Sequence, residues 1–184
     1  GDLTDGVHPG NLGLGAITTI GVTGLDPQVI YAGTDDGNVQ VTTNGGLSWT
    51  QCPDTTASLH SIEKIRFDPL DPNRVYAATN DVGVLLSADR GVTWVRMNVG
   101  LTTSRTRSLV IADTLLYVGT DLAGVFMRTL NDTQWHPAVS GLSNLVVDAL
   151  FSPAATPGTV WAGTDGGGMF TTVNRGANWS QADG

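Results

Sequence analysis

The 184-residue chain holds one cysteine, one lysine and one glutamate, which are Cys52, Lys64 and Glu63. A single thiol excludes an internal disulfide and a thiolate metal cluster. Cys52 itself reads as a small buried hydrophobe near the end of a repeat. Nine Lys and Arg stand against 17 Asp and Glu, a formal net charge of −8. Without clustered cations for counterion release to reward, no nucleic-acid partner is expected. No apolar run approaches the roughly 20 residues that span a bilayer, so no membrane insertion is expected either. His8, His60 and His136 lack the spacing of a metal pair or of a Ser-His-Asp set, and neither a metal nor a cofactor is expected. Formal charge carried almost wholly by Asp and Arg, on a background rich in Thr and in 24 glycines, points to an extracellular or cell-surface setting. The chain begins at Gly1 and shows no secretory leader, which leaves a removed leader or a segment of something longer.

What is present is a repeat. Four copies read VIYAGTDDGNVQVTTNGGLSW, RVYAATNDVGVLLSADRGVTW, LLYVGTDLAGVFMRTLNDTQW and TVWAGTDGGGMFTTVNRGANW. Their tryptophans, Trp49, Trp94, Trp135 and Trp179, are 45, 41 and 44 residues apart. That period suits one blade of a β-propeller. Each copy carries four short β-type runs, at 17–22, 29–32, 39–42 and 48–51 in the first, with Asp26-Pro27 supplying a turn. The second copy has "DPLDPN" at the same connection, and the third shortens it to "ADT", which predicts a tight hairpin. The expected fold is all-β, a single array over 1–184 of four four-stranded antiparallel blades at about 15–52, 60–98, 106–139 and 146–182, with helix nearly absent. Four such blades form either a closed ring or an arc completed by other polypeptide.

Between the third and fourth runs the sequence resembles the Asp-box, or BNR, repeat, Ser/Thr-x-Asp-x-Gly-x-x-Trp. "SADRGVTW" has Ser87, Asp89, Gly91 and Trp94 in place. "TTNGGLSW" offers Thr42, Asn44, Gly46 and Trp49, and "TVNRGANW" offers Thr172, Asn174, Gly176 and Trp179. In "RTLNDTQW" only Trp135 remains, with Leu130 at the acidic position. An Asx side chain can accept backbone N–H bonds across such a turn, Gly permits positive φ, and Trp packs between sheets. Propellers similar in this motif include sialidases, two-propeller xyloglucanases, sortilin-like receptors and photosystem assembly factors, so the resemblance implies fold far more than function.

A sialidase-like site would need an arginine triad and a tyrosine nucleophile with a glutamate partner. Tyr31, Tyr76 and Tyr117 instead recur at one slot, filled by Trp161 in the fourth copy, and read as core packing. Similarity to xyloglucanases lies in the Thr-Asp turn after the second strand, where that family keeps one catalytic Asp. Asp35, Asp121 and Asp165 occupy it here, Asp36 follows the first, and Asn80-Asp81 stand in the second copy. The plain reading is that these carboxylates cap backbone amides. As a function, they would line a mouth that binds a sugar or, less in keeping with the absence of a DxDxDG calcium loop, a cation. Arg105 and Arg107 form the one local basic cluster, on a connector between blades, suited to a solvated loop or to an anionic or subunit contact. Asn131 and Asn178 head sequons in the box turns. The expectation is a non-catalytic extracellular module for binding or assembly, with a protein or glycan ligand or a second copy of itself as partner. The alternative is part of a xyloglucanase-like glycoside hydrolase.

Overall fold

The computed structural model describes residues 16–52 and 60–182. The chain divides into two compact units, Gly1–Arg96 and Met97–Gly184. The first unit holds two sheets. One is β1 (Ile17–Val22), β2 (Ile30–Thr34), β3 (Val39–Thr42) and β4 (Thr50–Gln51); the other is β5 (Ile62–Phe67), β6 (Val75–Thr79), β7 (Gly83–Ser87) and β8 (Val95–Arg96). The second unit repeats this with β9 (Thr106–Ala112), β10 (Leu115–Thr120), β11 (Val125–Thr129) and β12 (His136–Pro137), then β13 (Val147–Phe151), β14 (Val160–Thr164), β15 (Gly168–Thr172) and β16 (Ser180–Gln181). Every sheet is an antiparallel meander in chain order, and the described residues include no helix.

The second strands are the most deeply covered. Val75–Thr79 and Leu115–Thr120 are buried at every residue, which explains their unbroken Val, Tyr, Ala and Leu content where a one-sided strand would alternate. First strands alternate more, and each carries a register shift near its start or at the matching end of its partner. The fourth strands are two residues long and exposed, which keeps the sheet edges short. They are shorter than the sequence suggests because the preceding amides are already engaged. Ser48 N–H donates to Asn44 Oδ1 at 2.9 Å, Thr93 N–H to Asp89 Oδ1 at 2.8 Å and Asn178 N–H to Asn174 Oδ1 at 3.0 Å.

Within the first unit the β1–β4 sheet packs on the β5–β8 sheet through Tyr31, Val39, Ile62, Ile65 and Val75, with Trp94 in the same cluster. Gly21 and Gly33 make this approach possible. A Cβ on Gly33 would lie 2.6 Å from Ile62 Cγ2, and one on Gly21 would lie 2.8 Å from Phe67 Cε2. In the second unit the β9–β12 and β13–β16 sheets share a core of Val110, Tyr117, Val125, Val147, Leu150 and Trp179. Gly119 repeats the role of Gly33, since a Cβ there would meet Val147 Cγ1 at 2.8 Å. The unit between copies is thus one junction built twice, a small-residue face receiving the branched side chains of the following blade.

Candidate binding rim

One end of each blade is closed by the same backbone bond. The residue after the second strand donates to the residue before the first: Asp35 to Ala16 at 3.0 Å, Asn80 to Ser61 at 2.9 Å, Asp121 to Arg105 at 3.0 Å and Asp165 to Val146 at 3.1 Å. The connectors that enter the blades therefore meet the Thr-Asp turns at one end. Threonine bridges these turns. Thr79, Thr120 and Thr164 Oγ1 donate to the carbonyl four residues on at 2.7–2.8 Å, whereas the Thr34 hydroxyl gives its proton to Asp36 and accepts the Asn38 amide at 2.9 Å.

The aspartates diverge. Asp35 Oδ1 accepts the Ala16 amide at 2.7 Å. Asp36 turns inward, only 9% exposed, and accepts from the Thr34 hydroxyl and from Asn38 Nδ2. Asp81 adopts φ 79°, the left-handed region that Asp tolerates better than most residues. The Asp165 carbonyl accepts Asn144 Nδ2 at 2.6 Å, while Asn144 Oδ1 accepts the Val146 amide at 2.8 Å.

Asp121 differs from the rest. It lies 3.5 Å from Arg105 and 3.3 Å from Arg107, and Arg107 also meets Asp148 at 2.5 Å. Partial burial works against the Arg107 charge, but Asp148 and Asp121 outweigh it and raise its pKa. Arg107 lies within β9 and not on the connector that the sequence indicated, because Thr106 already pairs with Thr120. The structure thus gathers Arg105, Arg107 and Asp121 and adds Asp148, whose only sequence signal is its place on the first strand of the fourth blade. Two carboxylates, Asp121 and Asp148, share one guanidinium. Among the described residues no three His, Cys, Asp or Glu side chains converge as a metal site would require.

At the other end lie the Ser/Thr-x-Asp/Asn-x-Gly turns. Thr42, Ser87 and Thr172 hydroxyls each donate to the Asx side chain two residues on at 2.8 Å and accept the Gly46, Gly91 and Gly176 amides at 2.7–3.0 Å. Asp89 adds a bond from Thr93 Oγ1 at 2.6 Å, and the Thr93 contacts hold its carboxyl below the ordinary range. The third turn works differently. Asp132 accepts the Thr133 and Gln134 amides, and these bonds lower its pKa. Trp135 and Trp179 donate their indole N–H to Met97 and Ala138 carbonyls at 2.5 and 2.8 Å, and Arg128 lies 5.7 Å over the Trp135 ring. Trp94 donates to Gly91, within its own turn. Trp49 is only half-buried. Of the sequon residues, Asn178 is tied to Ser140 and to the Trp179 carbonyl.

No protein-family model and no curated protein matches the chain. Solved structures do. An ancestral GH74 enzyme superposes with a TM-score of 0.79 at 18% identity, covering 92% of this chain and 24% of its own. The GH74 xyloglucanase from Xanthomonas campestris gives 0.75 at 18% identity, over 92% and 31%. YCF48 bound to D1 peptide gives 0.65 at 18% identity, over 91% and 52%. At that identity the likeness speaks for the fold, and the chain spans between a quarter and about half of these relatives. The protein is a β-propeller of four-stranded antiparallel blades. Activity and partners do not follow from it.

Proposed function

We propose that this propeller is a non-catalytic module of the Asp-box type, extracellular or at the cell surface, that binds a protein or glycan through its Thr-Asp rim and assembles with further blades. The observation that carries this reading is how the rim carboxylates are used. Asp35 caps an amide, Asp36 is turned inward, and Asp121 is clamped by Arg105 and Arg107. Inverting hydrolysis needs a carboxyl able to give up a proton and a second about 6.5–9.5 Å away with a water between. Asp121 and Asp148 have a guanidinium between them instead. A half-exposed arginine pair is suited to gripping a carboxylate or sulfate on a ligand. One solved neighbour, YCF48, carries a D1 peptide, which favours a peptide as the ligand to try first. The labelled chain is to be screened on peptide and glycan arrays beside the double variant Arg105→Glu/Arg107→Glu. Retention that the double variant loses is the expected outcome. Sustained release of reducing ends from xyloglucan, abolished by Asp121→Asn or Asp165→Asn, would overturn the reading in favour of a hydrolase.

A further inference from the structure

The two ends of the blade series carry surfaces made like the junctions inside it. On the β1–β4 sheet, Ile17, Ile20 and Val22 point away from the β5–β8 sheet, and Ile20 is 60% exposed. Strand pairing makes Ile17 and Ile20 the counterparts of Ile62 and Ile65 in the second blade and of Val147 and Leu150 in the fourth. Those four are buried, each against the blade before it. On the β13–β16 sheet the reverse holds. Phe151 and Met169 are 61% and 51% exposed, whereas their counterparts in the third blade, Val110 and Val125, are buried. Trp161 fills the slot of Tyr31 and Tyr117 yet stays partly exposed, and with Ala149 and Gly163 these residues line an open apolar hollow of about 390 Å³.

Glycine supplies the sharpest sign. Gly33 and Gly119 are needed because Ile62 and Val147 of the following blade press against them. Gly163 holds the same register position, but a Cβ there would meet only Ala149 of its own sheet, at 3.6 Å. Its socket is cut for a branched side chain that its own sheet does not supply, and Ile17 has the shape and register of one.

From these matched faces we infer that the β13–β16 face of one chain docks on the β1–β4 face of a second copy, making in trans the junction that the chain makes twice in cis. Ile17 then enters at Gly163. Trp161 lies under the Gly45–Gly46 turn as Tyr31 and Tyr117 lie against Gly91 and Gly176. The carbonyl of Ala182, the residue after the last outer strand, takes the Trp49 indole N–H, as Met97 and Ala138 take those of Trp135 and Trp179. The faces differ from each other, so the contact is head-to-tail and closes only if the rotation allows. Two copies supply eight blades, the upper end of the roughly four to eight usual for propellers.

This deepens the assembly half of the proposed function and is independent of its ligand. Light scattering on the full chain is expected to give twice the monomer mass. Gly163→Leu, which the open space around Gly163 accommodates, and Ile20→Asp each give monomers with unchanged circular dichroism. Mixing these two variants restores dimer, since one copy keeps an intact head and the other an intact tail. A wild-type monomer at every concentration, as for a ring closed within one chain, overturns the inference, as does a dimer that survives both substitutions or a mixture that stays monomeric. Retention on the arrays is read separately, so loss of assembly and loss of ligand binding are told apart.

Discussion

The phenol of Tyr31 donates a 2.8 Å hydrogen bond to the carbonyl of Arg90, in the Ser87–Gly91 turn of the following blade. Tyr117 occupies the same slot against Gly176, its ring 3.3 Å from where a Cβ on that glycine would lie, yet its hydroxyl finds no protein partner among the described residues. One position therefore has two energetic meanings. Tyr31→Phe removes a bond and is expected to cost about 1–2 kcal/mol, whereas Tyr117→Phe removes an unpaired buried hydroxyl and should be neutral or slightly stabilising. Urea unfolding with an unchanged slope measures both, and equal losses would contradict the assignment.

Close approach between blades gives a second test. A Cβ on Gly119 would stand 2.3 Å from Ser108 Oγ and 2.9 Å from the Val147 carbonyl, with backbone on one side that cannot yield. Gly119→Ala is expected to destabilise by roughly 1–3 kcal/mol, the usual range for overpacking. Gly24→Ala is the control. It faces nothing within 4 Å, and the lost freedom of the unfolded chain should leave it neutral or up to about 1 kcal/mol more stable.

The turn chemistry separates acceptor from charge. Asn44 and Asn174 accept the same backbone bond as Asp89, and Asn44 Nδ2 donates to Ser48 Oγ where Asp89 Oδ2 accepts from the Thr93 hydroxyl, so Asp89→Asn should keep the turn, reverse the Thr93 contact and lose only the charge. Asp89→Ala loses every acceptor and should lower the thermal midpoint further. Because hydrogen bonding depresses the Asp89 pKa, its contribution is present above the unfolded pKa and fades as pH falls through the folded one. Melting curves from pH 7 down to pH 3 should show less acid dependence for Asp89→Asn than for the parent.

These tests sit on features that were unequally legible. Blade number, strand order and the aromatic slot followed from the spacing of Trp49, Trp94, Trp135 and Trp179, because every copy repeats the same packing problem. The rim was less legible. Asp35 and Asp36 are adjacent in sequence, yet one caps Ala16 and the other is buried against Thr34 and Asn38, a choice made by the turn's own hydrogen bonds. Asp148 meets Arg107, 41 residues away in the chain, only because their two sheets pack on one another. Exposure of Ile20 and Met169 was invisible in the pattern, since their counterparts, Ile65, Leu109 and Leu150 for the one and Val39, Val84 and Val125 for the other, are equally apolar and buried. What differs is the neighbour, which a single repeat cannot encode.

Cys52 is 5% exposed, and a Cβ on Gly91 would sit 2.8 Å from its sulfur. Burial pushes its pKa to about 12, with Asp89 adding to the effect. The thiolate is the reactive form, so at pH 8 the native thiol should be silent to a disulfide reagent over hours and react within minutes once urea unfolds the chain. Rapid native labelling would show that the junction between the first two blades opens readily.

Alkaline pH probes the same groups together. Burial raises Tyr117 to about 12, and burial with the nearby Cys52 raises Tyr31 further. In the unfolded chain the thiol titrates near pH 9 and the phenols near pH 10, ahead of their folded values. The unfolded state thus sheds protons that the folded state retains, and stability, complete below pH 9, is lost as pH rises toward 12. Each such group contributes a slope of at most about 1.4 kcal/mol per pH unit across its own window. Urea midpoints taken between pH 8 and 11.5 should begin to fall near pH 9. Cys52→Ala is expected to move the onset toward pH 10, and Tyr117→Phe to leave the onset in place while making the descent shallower. An onset that Cys52→Ala does not move would mean that the thiol ionises as readily in the folded chain as in the unfolded one.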